Sequence, residues 1–255
     1  MGTGAITEYI DVAQLALYAF WLFFFALVVY LHREAKREGY PLVDSHNPEY
    51  RGGTLWGMPQ PKTYILPNGQ GTRTYPAAED PQYDLAAEQL VDAPGFPLEP
   101  TGNPLKDGVG PAAWAIRPEK PDLTWDEGIP RIVPMRTVKD WSVESRDPDP
   151  RGRPIFGLDG EEGGTVTDLW IDLSEPTVRY LEIDAGGKRV MIPMTMVRVK
   201  KNGDVVAKSV CGKHFADAPT TANPDFVTLQ EEDKIGAYYA GGYLYAFEGR
   251  EEPYL

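Results

Sequence analysis

The sequence predicts a membrane-anchored α+β protein, with one N-terminal transmembrane helix followed by a mostly β domain that contains a small antiparallel barrel. Three observations support this fold class: an uncharged apolar run at residues 12–31, frequent proline and glycine over about residues 41–160, and short β-type segments with glycine turns from about Met135. A chain of 255 residues is long enough to bury a hydrophobic core in one or two domains.

The apolar run VAQLALYAFWLFFFALVVYL is 20 residues long, and Gln14 is its only strongly polar side chain. At 1.5 Å per residue it forms a helix roughly 30 Å long, the thickness of the hydrocarbon core of a bilayer. No Lys or Arg precedes residue 33, whereas the segment HREAKRE, residues 32–38, follows the run directly. The positive-inside rule therefore predicts that residues 1–11 lie outside the cytoplasm and that the C-terminal part lies inside it.

The helix also carries a strip of small residues, because Ala13, Ala16 and Ala19 recur every third position beside Gln14. Such a strip suits close approach of another helix, but residues of this kind also face lipid, and the helix sequence favours neither alternative. The later segment AYYAGGYLYAF is only 11 residues long, too short to cross a membrane.

Charge and composition exclude several classes of function. The net charge is −13, and no stripe rich in Lys and Arg follows residue 40, so nucleic-acid binding is not expected. All 25 basic residues but only 36 of the 38 acidic residues follow the apolar run, which leaves a net charge of −11 there. The single cysteine, Cys211, excludes an internal disulfide and fits a reducing compartment. The three histidines, His32, His46 and His214, show no metal-ligand spacing, and no nucleotide-binding or nucleophile motif is present, so we expect no enzyme active site.

The part after the helix divides into two regions and a tail: 32–134, 135–248 and 249–255. The first is punctuated by proline and glycine, and PKTYILPNGQGT predicts a short hairpin with one strand at Thr63–Leu66 and a turn at 67–71. The second is predicted to form the antiparallel barrel. Its predicted strands are RTVKDWSV, RPIFGLDG, TVTDLWIDL, TVRYLEI, KRVMIPMTMVRVKK and DVVAKSV.

Acidic residues interrupt the predicted hairpin TVTDLWIDLSEPTVRYLEI, residues 165–183. Strand alternation places Asp168 and Asp172 on the face of Trp170, and Glu175 falls in the turn SEPT. These acids form either a solvated outer face or, if a partner covers that face, a desolvated set. Desolvation favours the protonated form of a carboxyl group, so covered carboxylates can relay protons.

Several segments together resemble the H subunit of the photosynthetic reaction centre of purple bacteria. These segments are HREAKREGYPL, PKTYILPNGQGT, PTGNPLKDGVGPAAWA, RIVPM, DPDPRG, GTVTDLWID, RYLEI and EEDKIGAYYAGGYLYA, and they follow the family's order over nearly the whole chain.

The resemblance implies one helix with a periplasmic N-terminus in the bacterial inner membrane and a cytoplasmic domain with a PRC-type barrel. It implies partner subunits L and M, which carry bacteriochlorophyll, bacteriopheophytin, quinones and non-haem iron, while this chain binds none of these cofactors. Membrane lipid would surround the helix, and a light-harvesting antenna and a bound cytochrome subunit are further partners that the family allows. The implied function is to cap and stabilise L and M and to help deliver protons to the secondary quinone.

By resemblance, Glu175 matches a buried glutamate near the secondary quinone, Asp172 its acidic neighbour and Arg179 the basic residue that tunes them. These three residues and Asp168 are the predicted proton-transfer residues. Some members carry a histidine pair for proton entry before RIVPM, but this chain has DLTWDEGIP there. Asp126 and Glu127 are the candidate replacements, although exposed carboxylic acids, with pKa values near 4, hold few protons at neutral pH.

Two other interpretations remain open from the sequence. In one, the chain is a purely structural cap whose acids are solvated or held in static ion pairs. In the other, it is a single-span membrane adaptor whose barrel binds a different protein. Bacteriochlorophyll that co-purifies with the chain would exclude the adaptor.

Overall fold

The computed structural model describes residues 4–7, 10–43, 51–52, 55–67, 69–77, 84–91, 93 and 96–250. Residues 1–3 and 8–9 of the predicted extracytoplasmic segment, His46, and residues 251–255 of the predicted tail lie outside the described residues. The chain forms two compact units, residues 1–82 and 83–255.

The first unit begins with helix α1, Val12–Glu34, which continues into a single 3₁₀ turn at Ala35–Arg37. The Asp11 side chain caps the helix by accepting a hydrogen bond from the N–H of Gln14 at 2.7 Å. The stretch Val12–Arg37 is long and apolar enough to cross a membrane. None of the residues of α1 is buried inside the chain, as expected for a helix that contacts lipid or other subunits.

Short strand pairs follow the helix in the first unit: β1 (Leu42–Val43) with β2 (Arg51–Gly52), and β3 (Lys62–Ile65) with β4 (Thr72–Tyr75). The β3–β4 pair confirms the predicted hairpin, with the strand starting one residue earlier. Arg37 ties the end of the helix to this region, because its Nη1 donates to the carbonyls of Gln60 at 2.8 Å and Tyr75 at 3.0 Å.

The second unit contains nine strands and two helices among its described residues. They are β5 (Ala87–Gln89), β6 (Leu98–Pro100), α2 (Pro104–Asp107), β7 (Ile132–Pro134), β8 (Pro154–Phe156), β9 (Glu162–Asp172), β10 (Thr177–Asp184), β11 (Arg189–Pro193), β12 (Val197–Val199), β13 (Val205–Ala207) and α3 (Leu229–Tyr245).

A seven-stranded sheet forms the centre of the second unit, in the order β11-β10-β9-β8-β13-β12, with β7 also paired to β9. Its fully buried side chains include Ile155, Trp170, Ile171, Leu181 and Ile183. Val, Ile, Leu and Trp favour strands because they pack well on a pleated surface. The predicted membrane-anchored, mostly β fold class is confirmed. One detail differs, since β8 and β13 pair in parallel, with Ile155 opposite Val205.

Two local predictions differ from the structure. RTVKDWSV is not a strand: the strand β7 comes just before it, and a 3₁₀ turn at Met135–Thr137 follows Pro134 directly. The segment from Leu229 to Tyr245 is a helix, which the sequence analysis left without an assignment. Its N-cap Thr228 forms a reciprocal capping box with Glu231, a helix-start signal that was present in the sequence.

Two glycines of α3 provide a matched test of its packing. A Cβ at Gly241 would lie 2.5 Å from the Cβ of Ala112, whereas a Cβ at Gly236 meets nothing within 4 Å. We expect Gly241→Ala to destabilise the protein by about 1–3 kcal/mol through overpacking. Gly236→Ala should stabilise it by up to about 1 kcal/mol, because alanine has the higher helix propensity. Urea unfolding of the full chain in detergent measures both, and changes of the same sign would contradict this packing.

Candidate functional site

The turn between β9 and β10 carries the acids on which the sequence analysis concentrated. Asp172 ends β9, pairs with Ile132 of β7 and with Thr177 of β10, and is fully buried. The single Nε–H of Arg131 is shared between the two carboxylate oxygens of Asp172, at 3.0 and 2.9 Å, and Nη2 of the same guanidinium lies 2.8 Å from the carboxylate. The backbone N–H groups of Ser174 and Glu175 also donate to it, at 2.9 and 3.1 Å.

This environment keeps Asp172 ionised. Burial by itself raises the pKa of the Asp172 carboxyl, but the hydrogen bonds from Arg131 and from the backbone N–H groups of Glu175 and Ser174 hold that pKa below its usual range. The hydrogen bonds of Arg131 to Asp172 and Asp122 raise the pKa of Arg131 although burial opposes this, so its guanidinium stays charged. In the chain alone, Asp172 is therefore an anion locked to a permanent cation.

Arg131 also contacts two other acids, and the four residues Asp122, Arg131, Asp172 and Glu175 are called the Arg131 cluster below. Its Nη1 lies 3.3 Å from Asp122, and its Nη2 lies 3.5 Å from Glu175. The Glu175 side chain is 67% exposed, in contrast to buried Asp172. One guanidinium thus joins a buried carboxylate to two that reach solvent.

Glu232, on the first turn of α3, lies near this cluster. The hydroxyl of buried Tyr180 donates to its carboxylate at 2.8 Å. Burial raises the pKa of the Glu232 carboxyl, and the charge of Asp122 adds to that effect. The hydrogen bond from Tyr180 and the charges of Arg179 and Arg131 oppose it without cancelling it. Glu232 consequently holds a proton at a higher pH than an ordinary glutamate.

A second set, the Arg136 cluster, consists of the exposed Arg136 and the buried acids Asp168 and Glu182. Asp168 and Glu182 face each other across β9 and β10, and each lies 3.0 Å from the Arg136 Nη1. Trp170 Nε1 and Thr167 Oγ1 donate to Glu182 at 3.0 and 2.9 Å. The two carboxylates are only 5% and 6% exposed, so the cation and these donors offset most of the cost of their burial.

Comparison with known families identifies the family to which this chain belongs. Residues 4–137 match the family model described as photosynthetic reaction centre, H-chain N-terminal region, and residues 142–209 match the PRC-barrel domain. The chain belongs to the reaction-centre H-chain family. The resemblance noted in the sequence is thereby confirmed, and the adaptor interpretation is excluded.

An H chain is a non-enzymatic subunit of a membrane complex and does not itself bind the pigments. Within the described ranges, no group of three His, Cys, Asp or Glu side chains is arranged to hold a metal ion.

The predicted site residues fall into different places in the H chain. Glu175 and Asp172 meet at Arg131, while Asp168 lies in the Arg136 cluster. Arg179 is exposed, and its charge acts on Glu232 and Tyr180. The cation in contact with Asp172 and Glu175 is Arg131.

The candidate entry residues Asp126 and Glu127 are exposed on a turn, where the N–H of Glu127 donates to Asp126 Oδ1 at 3.0 Å. Their loop closes through a bridge between Leu123 and Pro130 and a hydrogen bond from the N–H of Arg131 to the carbonyl of Asp122, at 2.8 Å. Asp122 and Arg131, two members of the Arg131 cluster, therefore lie at the base of this loop.

Sequence reasoning missed Arg131 and Glu232. Arg131 opens the segment RIVPM, but its partners in the cluster come from 9 to 44 residues away, and only the pairing of β7 with β9 brings them together. Glu232 belongs to a helix that was not predicted, although the Thr228 capping box marks the start of that helix.

Removal of the Arg131 charge should destabilise the barrel, because Asp172 would remain buried without a cation. We expect Arg131→Gln to lower the free energy of unfolding by about 2–3 kcal/mol. Adding Asp172→Asn should recover part of this loss, since the two residues interact directly. Urea titrations of the full chain provide the measurement, with exposed Arg179→Gln as the control. Equal losses in the single and double variants would contradict the pairing.

Glu232 should make stability depend on pH in a direction set by its raised pKa. The folded state binds this proton more tightly than the unfolded chain, so the stabilisation is complete below the unfolded pKa, about 4.3, and is lost as pH rises through the folded pKa. We expect the neutral variant Glu232→Gln to lose less stability than wild type between pH 4 and pH 7. Unfolding free energies across this range test the difference, with Glu127→Gln as an exposed control. Parallel curves for wild type and Glu232→Gln would show that Glu232 has no shifted pKa.

Proposed function

We propose that this H chain caps the L and M subunits on the cytoplasmic side of the membrane and helps deliver protons to the secondary quinone they hold. In this proposal the N-terminus is periplasmic, because the basic residues follow helix α1 and none precedes it. The observation that carries the proton-delivery role is the Arg131 cluster, where one cation links surface, buried and turn carboxylates.

Quinone reduction inside a protein needs such a route. Two electrons and two protons convert a quinone to a quinol, and an isolated charge in the low-dielectric interior costs several kcal/mol. Carboxylates that take up protons lower that cost, because such a group can exchange its proton with the next group or with an intervening water.

We place the entry of this route at the loop with Asp126 and Glu127. Both carboxylates are exposed, and Asp122 at the base of the loop lies 3.3 Å from Arg131. A proton collected at the loop therefore needs to pass only to Asp122 to reach the cluster. This assignment replaces the histidine pair that the sequence lacks.

Glu175 is the proposed exit toward the quinone. It lies in the turn between β9 and β10, 67% exposed in this chain, with only the 3.5 Å contact to Arg131 to hold it. An exposed side chain in a turn is accessible to a partner subunit that packs against the turn. L and M are the proposed partners at this face.

Asp172 and Arg131 have an electrostatic part in this scheme. The lowered pKa of Asp172 favours a permanent negative charge over a proton carrier, and that charge fixes the position of Arg131. Glu232, whose pKa is raised, is the better candidate to hold a proton within the route. Arg179 tunes it from the solvent side, and Asp168, paired with Arg136, stays a candidate for proton transfer.

A purely structural cap is the second candidate function. The ion pairs of Asp168, Asp172 and Glu182 favour it, because static pairs of this kind also serve only to hold a fold. The two functions differ in what happens when Glu175 loses its ability to exchange a proton.

The test is the flash-induced rate of the second electron transfer to the secondary quinone, with proton uptake, in Glu175→Gln reaction centres. We expect slowing by about tenfold or more, since general acid–base groups typically contribute factors of 10² to 10⁴ and parallel routes limit the loss. Pigment content and the first electron transfer should stay unchanged, because neither needs a proton from this route.

Glu162→Gln supplies the matched control, since this glutamate is exposed at the opposite end of β9. An unchanged rate in Glu175→Gln across pH 6 to 9 would contradict proton delivery and leave the structural cap. Slowing in both variants alike would point to a general loss of surface charge.

A further inference from the structure

The side of helix α3 that faces away from the core carries no charged residue over its last three turns. The segment IGAYYAGGYLYAF, residues 235–247, contains no Asp, Glu, Lys or Arg. A helix that is apolar on all sides is normally buried on all sides. Its inward residues are buried within the chain: Ile235, Tyr238, Tyr239, Gly241 and Gly242.

The outward residues form one apolar surface, called the α3 outer face below. Gly236, Ala240 and Tyr243 are spaced by four and three residues, which puts them on one side of the helix. Phe247 lies just beyond the end of the helix, and Arg250 joins it to Tyr243. The Arg250 guanidinium lies over the Phe247 ring and donates to the carbonyl of Tyr243 at 3.3 Å. Tyr243 and Phe247 are 49% and 39% exposed, so two aromatic residues face outward beside two small ones.

Gly236 has no packing role inside the described part of the chain. A Cβ at this position meets no described atom within 4 Å, whereas a Cβ at Gly241 would clash with Ala112. A glycine inside a helix costs stability relative to alanine, because it loses more backbone freedom on folding. This cost is offset if another backbone approaches α3 closely at Gly236, since a side chain there would prevent the approach.

Charge distinguishes between the candidate occupants of the α3 outer face. The first turn of the helix carries Glu231, Glu232 and Asp233, and the 25 basic and 36 acidic residues after the apolar run give a net charge of −11. Like charges therefore repel both an anionic lipid surface and a second copy of this chain. Cytoplasmic segments of membrane subunits carry an excess of Lys and Arg, which complements these acids.

We propose that the α3 outer face docks a helical cytoplasmic segment of L or M, apolar on the side that contacts α3 and flanked by Lys or Arg. The partner backbone lies against Gly236 and Ala240, where small residues let two helices approach closely. Tyr243 and Phe247 pack against its side chains. This contact rests on the proposed capping of L and M, and it uses none of the residues of the Arg131 cluster.

The test measures the affinity of the full H chain for detergent-solubilised L–M complexes from which the H chain has been removed. We expect Gly236→Ala to stabilise the chain alone but to weaken this binding by about threefold, because its methyl group occupies space that the partner backbone needs. Ala240→Leu should weaken binding by about tenfold or more, because it adds more bulk at the same contact. Ala216→Leu is the matched control, since Ala216 is exposed on a 3₁₀ turn of the same unit.

Three results would count against the proposal in different ways. Wild-type affinity in both Gly236→Ala and Ala240→Leu would overturn the contact at this face. Equal weakening in Ala216→Leu would overturn it as well, because the effect would then not depend on the position of the added bulk. Failure of the wild-type chain to bind L–M complexes would overturn the proposed capping itself, and the docking face with it.

A second measurement uses the assembled complex and covers the case in which Ala240→Leu does not fold. Reaction centres that carry the photoreactive substitution Tyr243→benzoylphenylalanine are irradiated, and the crosslinked peptides are identified by mass spectrometry. We expect crosslinks to a segment of L or M flanked by Lys or Arg. Crosslinks only to lipid, or only to a second H chain, would overturn the proposal.

Discussion

The ion pair between Arg131 and Asp172 is the interaction on which the functional end of the barrel depends. It joins the start of β7 to the end of β9, and through the other nitrogens of the same guanidinium it also holds Asp122 and Glu175. Removing either partner alone leaves the other charge buried and unpaired. This destabilises the protein more than replacing both partners together by apolar residues. The positions of three carboxylates are thus fixed by a single side chain.

The buried acids of the barrel fall into two groups, which differ in the side chain that offsets the cost of their burial. Asp168, Asp172 and Glu182 are buried and form ion pairs with guanidinium groups. Glu232 is desolvated with a tyrosine hydroxyl as its direct partner, and its pKa is raised. A fixed charge sets a local potential, whereas a group with a raised pKa stores a proton. The proton relay proposed above uses both kinds of group.

The sequence was informative where a feature depends on neighbouring residues. The length and hydropathy of residues 12–31 predicted α1, and the β-branched pattern with its turns predicted β3, β9 and β10. It was uninformative about which cation meets which acid, because Arg131 lies 41 residues from Asp172. It also suggested a strand at RTVKDWSV, where Pro134 and the following 3₁₀ turn end the pairing. Burial of Asp168 and Asp172 required knowledge of what covers β9.

The parallel pairing of β8 with β13 affects the order in which the barrel forms. Ile155 and Val205 are 50 residues apart, whereas Asp172 and Thr177, which close the β9–β10 hairpin, are five apart. The longer closure costs roughly 2 kcal/mol more in chain entropy, so the hairpin is expected to form first and the barrel to close later. At that early stage the acids of the hairpin are still hydrated and have not met their guanidinium partners. Their like charges repel other copies of the exposed strands, so these acids also protect the nascent chain from aggregation.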